Sequence, residues 1–143
     1  MKDNKRFTTV NTDAGLRKGK AAYSYWIRSE DVIERGSGPL KGEIKNSNEA
    51  ELAAILNALT IVANNEYLRS ADVIVVNCDN KQALKVLRDK QINGYAKYTA
   101  FYNEILKRIK VKIFYKHVKG HSKGNTPRQW VNNWCDKNLK KHY

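Results

Sequence analysis

Cysteine, proline and methionine are scarce in this 143-residue chain, at two, two and one. Two cysteines make no disulfide-built scaffold. Cys78 closes an apolar run and Cys135 falls in a helical stretch, so the thiols are expected to be reduced and the protein intracellular and cytoplasmic. Metal ligation by this cysteine pair is not expected, since only one of the chain's three histidines lies nearby. No apolar run reaches the roughly 18 residues of a membrane span, and Met1-Lys2-Asp3-Asn4 lacks a signal-peptide pattern. A soluble protein without a membrane partner is the expectation. Acids are also in deficit, 14 against 27 Lys and Arg, leaving a formal charge of +13. Such an excess favours a polyanion, and nucleic acid is the usual one because each neutralised phosphate releases counterions. A membrane surface is the competitor, but no basic amphipathic anchor stands out. The length suits one domain over residues 1–143, expected to be monomeric and long enough to bury roughly two thirds of its unfolded surface.

What is present starts with Phe7-Thr8-Thr9-Val10-Asn11-Thr12-Asp13, a strand that ends in an acid. Period-two alternation puts Phe7, Thr9, Asn11 and Asp13 on one face and Thr8, Val10 and Thr12 on the other. A carboxylate among apolar neighbours needs hydrogen bonds, a proton or a cation, which makes Asp13 a candidate site; a strand-end turn residue is the plainer account. Leu16 to Lys20 reads as a hairpin-like loop and Ala21 to Arg28 as a second strand. A third runs from Val32 toward Ile44, interrupted at Gly36-Ser37-Gly38-Pro39, with Pro39 indicating a sheet edge.

Asn46-Ser47-Asn48 opens a helix in which Leu52, Ile55, Leu56, Leu59 and Val62 recur at helical spacing to about Asn64. Glu49 and Glu51 fall on opposite flanks of that stripe, and periodicity does not choose between them. Acids near the positive helix end, or Asn48 with Glu51 as a capping box, would also explain them. Val73 to Val76 is a β-branched run of the kind covered on both faces, and it leads through Asn77-Cys78 to a second strand-end acid, Asp79. The plainer account of Asp79 is an N-cap, partnered by Gln82, for a helix over Asn80–Lys90. That helix aligns Lys81, Lys85 and Arg88 on one face, a like-charge arrangement that phosphates would offset. Gln91 to Gly94 then reads as a turn, Tyr98 to Arg108 as a helix, and Val111 to Val118 as an alternating strand. A loop over Lys119–Gly124 carries His121. The last helix, Pro127 to Lys140 capped by Thr126, packs through Val131, Trp134, Cys135 and Leu139, with Asp136 at its edge and Lys140 as an i,i+4 partner.

Three strands, a helix, a strand, helices, a strand and a helix predict an α/β fold whose parallel strands join by right-handed crossovers. Ligand sites in such sheets collect at the carboxyl ends of strands, where Asp13 and Asp79 lie. At this point the chain resembles the type 1 ribonucleases H, bacterial or phage-like. The likeness runs from Thr12-Asp13 through Asn48-Glu49-Ala50-Glu51-Leu52 and Asn77-Cys78-Asp79 to Val118-Lys119-Gly120-His121 and Cys135-Asp136. It implies a ribonuclease H-like fold: a five-stranded mixed sheet, three antiparallel strands and then parallel ones, flanked by helices. It also implies an endonuclease that hydrolyses the RNA strand of RNA/DNA hybrids, leaving 3′-hydroxyl and 5′-phosphate ends. Carried over by residue, the catalytic and metal-binding acids are Asp13, Glu51, Asp79 and Asp136, with His121 as a catalytic-loop histidine. The resemblance, and not the helical projection, selects Glu51 over Glu49.

Four clustered carboxylates make electrostatic sense around cations, because unit charges about 4 Å apart repel by about 4 kcal/mol at an effective dielectric of 20. Oxygen ligands point to Mg2+, with Mn2+ able to substitute, and two ions per site are implied. Candidate contacts to nucleic acid are Asn46, Ser47, Asn48, Asn80, Lys81, Gln82, Lys85, Arg88, Lys123 and Arg128, polar groups that suit a 2′-hydroxyl and bases that suit phosphates. Three features depart from many relatives: a short basic first loop, no room between Lys90 and Tyr98 for a basic helix and loop that grips the hybrid, and a longer stretch between His121 and Asp136. An integrase, transposase or junction resolvase would arrange its acids differently. A binding-only module of the same fold would have lost an acid, and all four are present.

Overall fold

In the computed structural model, which describes residues 5–89, 96–118 and 127–142, eleven elements alternate much as the periodicities predict. Three antiparallel strands come first: β1 (Phe7–Arg17), β2 (Lys20–Ser29) and β3 (Val32–Pro39). Helices α1 (Ser47–Ala63) and α2 (Glu66–Arg69) lead into β4 (Val73–Cys78), which pairs parallel to β1. Then come α3 (Lys81–Arg88), α4 (Ala96–Arg108), β5 (Ile113–His117) parallel to β4, α5 (Pro127–Leu139) and a closing 3-10 turn. The sheet order is β3-β2-β1-β4-β5. This is the five-stranded mixed sheet flanked by helices that the resemblance implies.

The core lies on the α1 face. Val10, Ile27, Ile74 and Val76 point from the strands into Leu52, Ile55, Leu56 and Leu59 of α1, with Leu84 and Leu87 of α3 and Ile105 of α4 beside them. Full burial of each such side chain is worth roughly 1.5–3 kcal/mol. The alternate residues of β2 face the other way, where Ser24 Oγ donates to the Cys135 carbonyl at 2.7 Å and Trp26 meets Trp134 edge to face at 5.2 Å, so α5 lies across the opposite face. Among the described residues no helix is long and apolar enough to cross a membrane.

Local departures from the sequence reading have physical causes. Leu16, Arg17 and Lys20 are strand, not loop, because a two-residue turn at Lys18 and Gly19, both with positive φ, suffices to reverse the chain. The third strand is not interrupted at its glycines, and it ends at Pro39. The Tyr25 and Tyr23 side chains of β2 lie directly across Gly36 and Gly38, where an added Cβ would come within 2.6 Å of the Tyr25 hydroxyl and 3.2 Å of the Tyr23 ring. The aromatic neighbours cover the bare backbone and keep it in the sheet. Pro39 does sit on an edge strand. α3 is one residue shorter at its start and ends at Arg88, α4 begins at Ala96, and β5 is confined to Ile113–His117. α2, absent from the sequence reading, is capped by Asn65, whose side chain accepts from the Leu68 amide at 3.0 Å.

Candidate active site

Two caps decide which acids are free to serve a site. Asn46, not Asn48, caps α1: its Oδ1 accepts from the Glu49 amide at 2.9 Å. Glu49 Oε1 accepts from the Lys45 amide at 3.5 Å, one residue before the cap, so the acid that reaches back at this helix start is Glu49 and not Glu51. Tyr98 Oη donates to the other Glu49 oxygen at 3.0 Å, tying this acid to α4. Likewise Asn80, not Asp79, caps α3, accepting from the Ala83 amide at 2.9 Å. Gln82 is exposed and takes no part in that cap. Glu51 and Asp79 are thereby released from structural duty.

The acids converge where the parallel pairing of β1 with β4 ends at Asn11 and Asn77, arriving from both faces of the sheet. Asp79 directly follows the last residue of β4, but Asp13 lies inside β1, which does not end in its acid as expected: antiparallel pairing with β2 carries the strand on to Arg17. Glu51, 5% exposed, comes from α1, and Asp136 comes from α5 on the opposite side. The Ala14 amide is shared between Asp13 Oδ1 at 2.9 Å and Glu51 Oε1 at 3.3 Å, which stitches two carboxylates to one backbone donor. Ligand atoms of Glu51, Cys78 and Asp79 lie within 4.8 Å of one another. Burial, then the charges of Asp79 and Asp136, push the Asp13 carboxyl up from 3.8 to about 7, against the Ala14 amide and Lys140. Burial and the charges of Asp13 and Asp79 also hold Glu51 well above the carboxylate range.

The i,i+4 pair proposed for Asp136 forms as well, with Lys140 Nζ 3.1 Å from its Oδ2. It does not remove Asp136 from the cluster, since Asp13 responds to both charges. The donor set suits a hard divalent cation. Carboxyl oxygens from β1, α1, the residue after β4 and α5 repel one another as anions, and a cation between them would offset the charges of Asp79 and Asp136 that add to burial in raising Asp13.

The surrounding polar residues form two groups. Asn80 Nδ2 donates to Asn48 Oδ1 at 2.9 Å, linking the starts of α3 and α1 beside the acids, with Asn46 and exposed Ser47 one turn away. Lys81, Lys85 and Arg88 line a groove of about 360 Å3 with His117. His117 was not singled out from the sequence. Its Nε2–H donates to the Asp79 carbonyl at 3.1 Å, and the signal available was its place at the end of the strand beside Cys78. Arg128 lies in the first turn of α5, while Lys90, the Gln91–Gly94 turn, Lys123, Thr126 and the His121 loop lie outside the described residues.

A family model for RNase H matches residues 5–143. No curated protein matches the chain. Among solved structures, RNase H1 of the halophilic archaeon Halobacterium salinarum is similar at 19% identity and a TM-score of 0.69, covering 95% of this chain and 96% of its own. The N-terminal RNase H domain of a Mycobacterium tuberculosis protein is 14% identical with a TM-score of 0.69, over 96% and 93% of the two chains. An RNase H1 isolated from compost, solved in complex with an RNA/DNA hybrid, is 16% identical with a TM-score of 0.67, over 94% of each. These structural likenesses establish the fold, and the family match extends over all but the first four residues. The chain therefore belongs to the RNase H family, as a ribonuclease H enzyme.

Proposed function

We propose that the protein is a type 1, bacterial or phage-like ribonuclease H: a single-domain, monomeric endonuclease that hydrolyses the RNA strand of RNA/DNA hybrids. The observation that carries this is the acid cluster beside the end of β4: Asp13 and Glu51 share the Ala14 amide, Glu51 and Asp79 lie within 4.8 Å, and the charges of Asp79 and Asp136, after burial, push Asp13 up to about 7. The hybrid held by the compost RNase H1 supports the substrate class. Only residues 89–95 separate α3 from α4, which supports a member without the basic protrusion.

In this reading the four acids hold two divalent ions, Mg2+ with Mn2+ as substitute. When bound, the ions supply activation of the attacking water and neutralisation of the leaving oxygen. The chain's own groups do the rest. The Ala14 amide fixes Asp13 and Glu51 against each other, and the bonded pair Asn48 and Asn80 supplies polar groups for the sugar of the strand being cut. His121 assists proton transfer or product release. Cleavage of an end-labelled hybrid should give RNA products that a polymerase extends directly from a 3′-hydroxyl; products ending in a 2′,3′-cyclic phosphate would contradict the mechanism.

Grip on the hybrid falls to dispersed charge: Lys81, Lys85 and Arg88 along their groove, helped by Lys123 and Arg128. Each phosphate contact adds about 0.9 to the slope of log affinity against log salt on a B-like duplex. The triple variant Lys81→Ala, Lys85→Ala, Arg88→Ala is expected to flatten that slope by nearly three, with little change in turnover at saturating substrate. An unaltered slope would show that this face is only solvated.

A further inference from the structure

We infer that Cys78 is a positioning residue of the active site, its buried thiol orienting Glu51 for cation binding. This rests on the metal reading of the acid cluster given above. Cys78 is the last residue of β4, wholly buried on the core face of the sheet, and its neighbour Asp79 is the acid that projects beyond the strand. Its sulfur has a partner on each side. The Asn80 amide donates to Sγ at 3.4 Å, and the thiol donates to Glu51 Oε2 at 3.5 Å.

The consequence for Glu51 is geometric. This carboxyl is 5% exposed, so its oxygens depend on protein donors, and each has one: Oε1 the Ala14 amide, Oε2 the Cys78 thiol. A carboxylate with one oxygen fixed can still pivot about it. With both fixed, its plane and its remaining lone pairs are set. The two donors are also the residue after Asp13 on β1 and the residue before Asp79 at the end of β4, so the thiol registers an acid from the helical layer against those of the sheet. An apolar residue at position 78 would fill the core as well but would leave Oε2 without its donor, a cost in itself for a buried oxygen. Partners that orient metal ligands in this way typically change metal affinity by roughly 10- to 100-fold when lost.

The test is calorimetric titration of Mn2+ into the wild type and into Cys78→Ser, Cys78→Ala and Cys78→Val, with the metal-free melting temperature of each. Serine keeps a donor and valine keeps the volume. The expected result is near-wild-type affinity for Cys78→Ser and affinity weakened about tenfold or more for both Cys78→Ala and Cys78→Val, whatever the order of their melting temperatures. If affinity instead follows melting temperature, or if the alanine and valine variants bind as the wild type does, Cys78 is packing alone and the inference is overturned. A sulfur-to-metal charge-transfer band on adding Cd2+ to the wild type would overturn it differently, by making the sulfur a direct ligand. A wild type that takes up no Mn2+ would bring down the metal reading beneath it and the positioning role together.

Discussion

Asp79→Asn is expected to lower metal-dependent cleavage of hybrid RNA by about a thousandfold or more, equivalent to roughly 4 kcal/mol of transition-state stabilisation, while the protein stays folded. The fold does not need this carboxylate. Asn80 caps α3 through its own side chain, and the last strand bond of β4 is already made at Cys78. What Asp79 contributes is charge beside Asp13 and Glu51, both of which it pushes upward. Removing that charge in EDTA should raise the melting temperature by a few degrees, since a repulsion of order 1 kcal/mol shifts a domain of this size by that much. A fall of several degrees, or undiminished cleavage, would mean that Asp79 is a structural acid after all.

The second large effect is on pH and metal together. Asp13 has its folded value raised from 3.8 to about 7, so the native state favours its protonated form. Stability from that source is complete below about pH 4 and is lost as pH rises through 7, and the whole rise corresponds to roughly 4 kcal/mol. Glu51 shifts in the same direction. The difference in melting temperature between wild type and Asp13→Asn, followed in EDTA, should therefore move against the wild type as pH increases from about 4 to 7. Saturating Mn2+ should cancel or invert that trend, because the cation binds the ionised carboxylates. A difference that is flat with pH, or the same with and without Mn2+, would show that the acids neither repel one another nor hold a cation.

The succession of strands and helices was legible because its signals are local: β-favouring runs separated by a helix of apolar periodicity; the end of β1 was not, since its pairing with β2 carries it through Asp13 to Arg17. The choice between Glu49 and Glu51 was not legible from spacing. Both are buried, 2% and 5% exposed, and what separates them is the Asn46 cap, which takes up Glu49 and leaves Glu51 to face Asp13. A helix start with three consecutive cap-competent residues, Asn46, Ser47 and Asn48, does not announce which one closes it. Gly36 and Gly38 misled for another reason: glycine in isolation predicts a turn, and the tyrosines that keep it extended belong to the neighbouring strand. His117 escaped notice because its partner, the Asp79 carbonyl, is 38 residues away and is brought near only by the parallel pairing of β4 and β5. Cys78 read simply as the end of a core strand, which it is; its bond to Glu51 depends on a contact between layers that no periodicity reports.

The most direct measurement is incubation of the purified protein with labelled RNA/DNA hybrid, duplex RNA, duplex DNA and single-stranded RNA, each with Mg2+, Mn2+ or EDTA. Cleavage of the RNA strand in the hybrid with either cation, absent in EDTA and absent or far slower on the other three substrates, is the predicted result. Cleavage that persists in EDTA, or that favours duplex DNA or single-stranded RNA over the hybrid, would contradict the account.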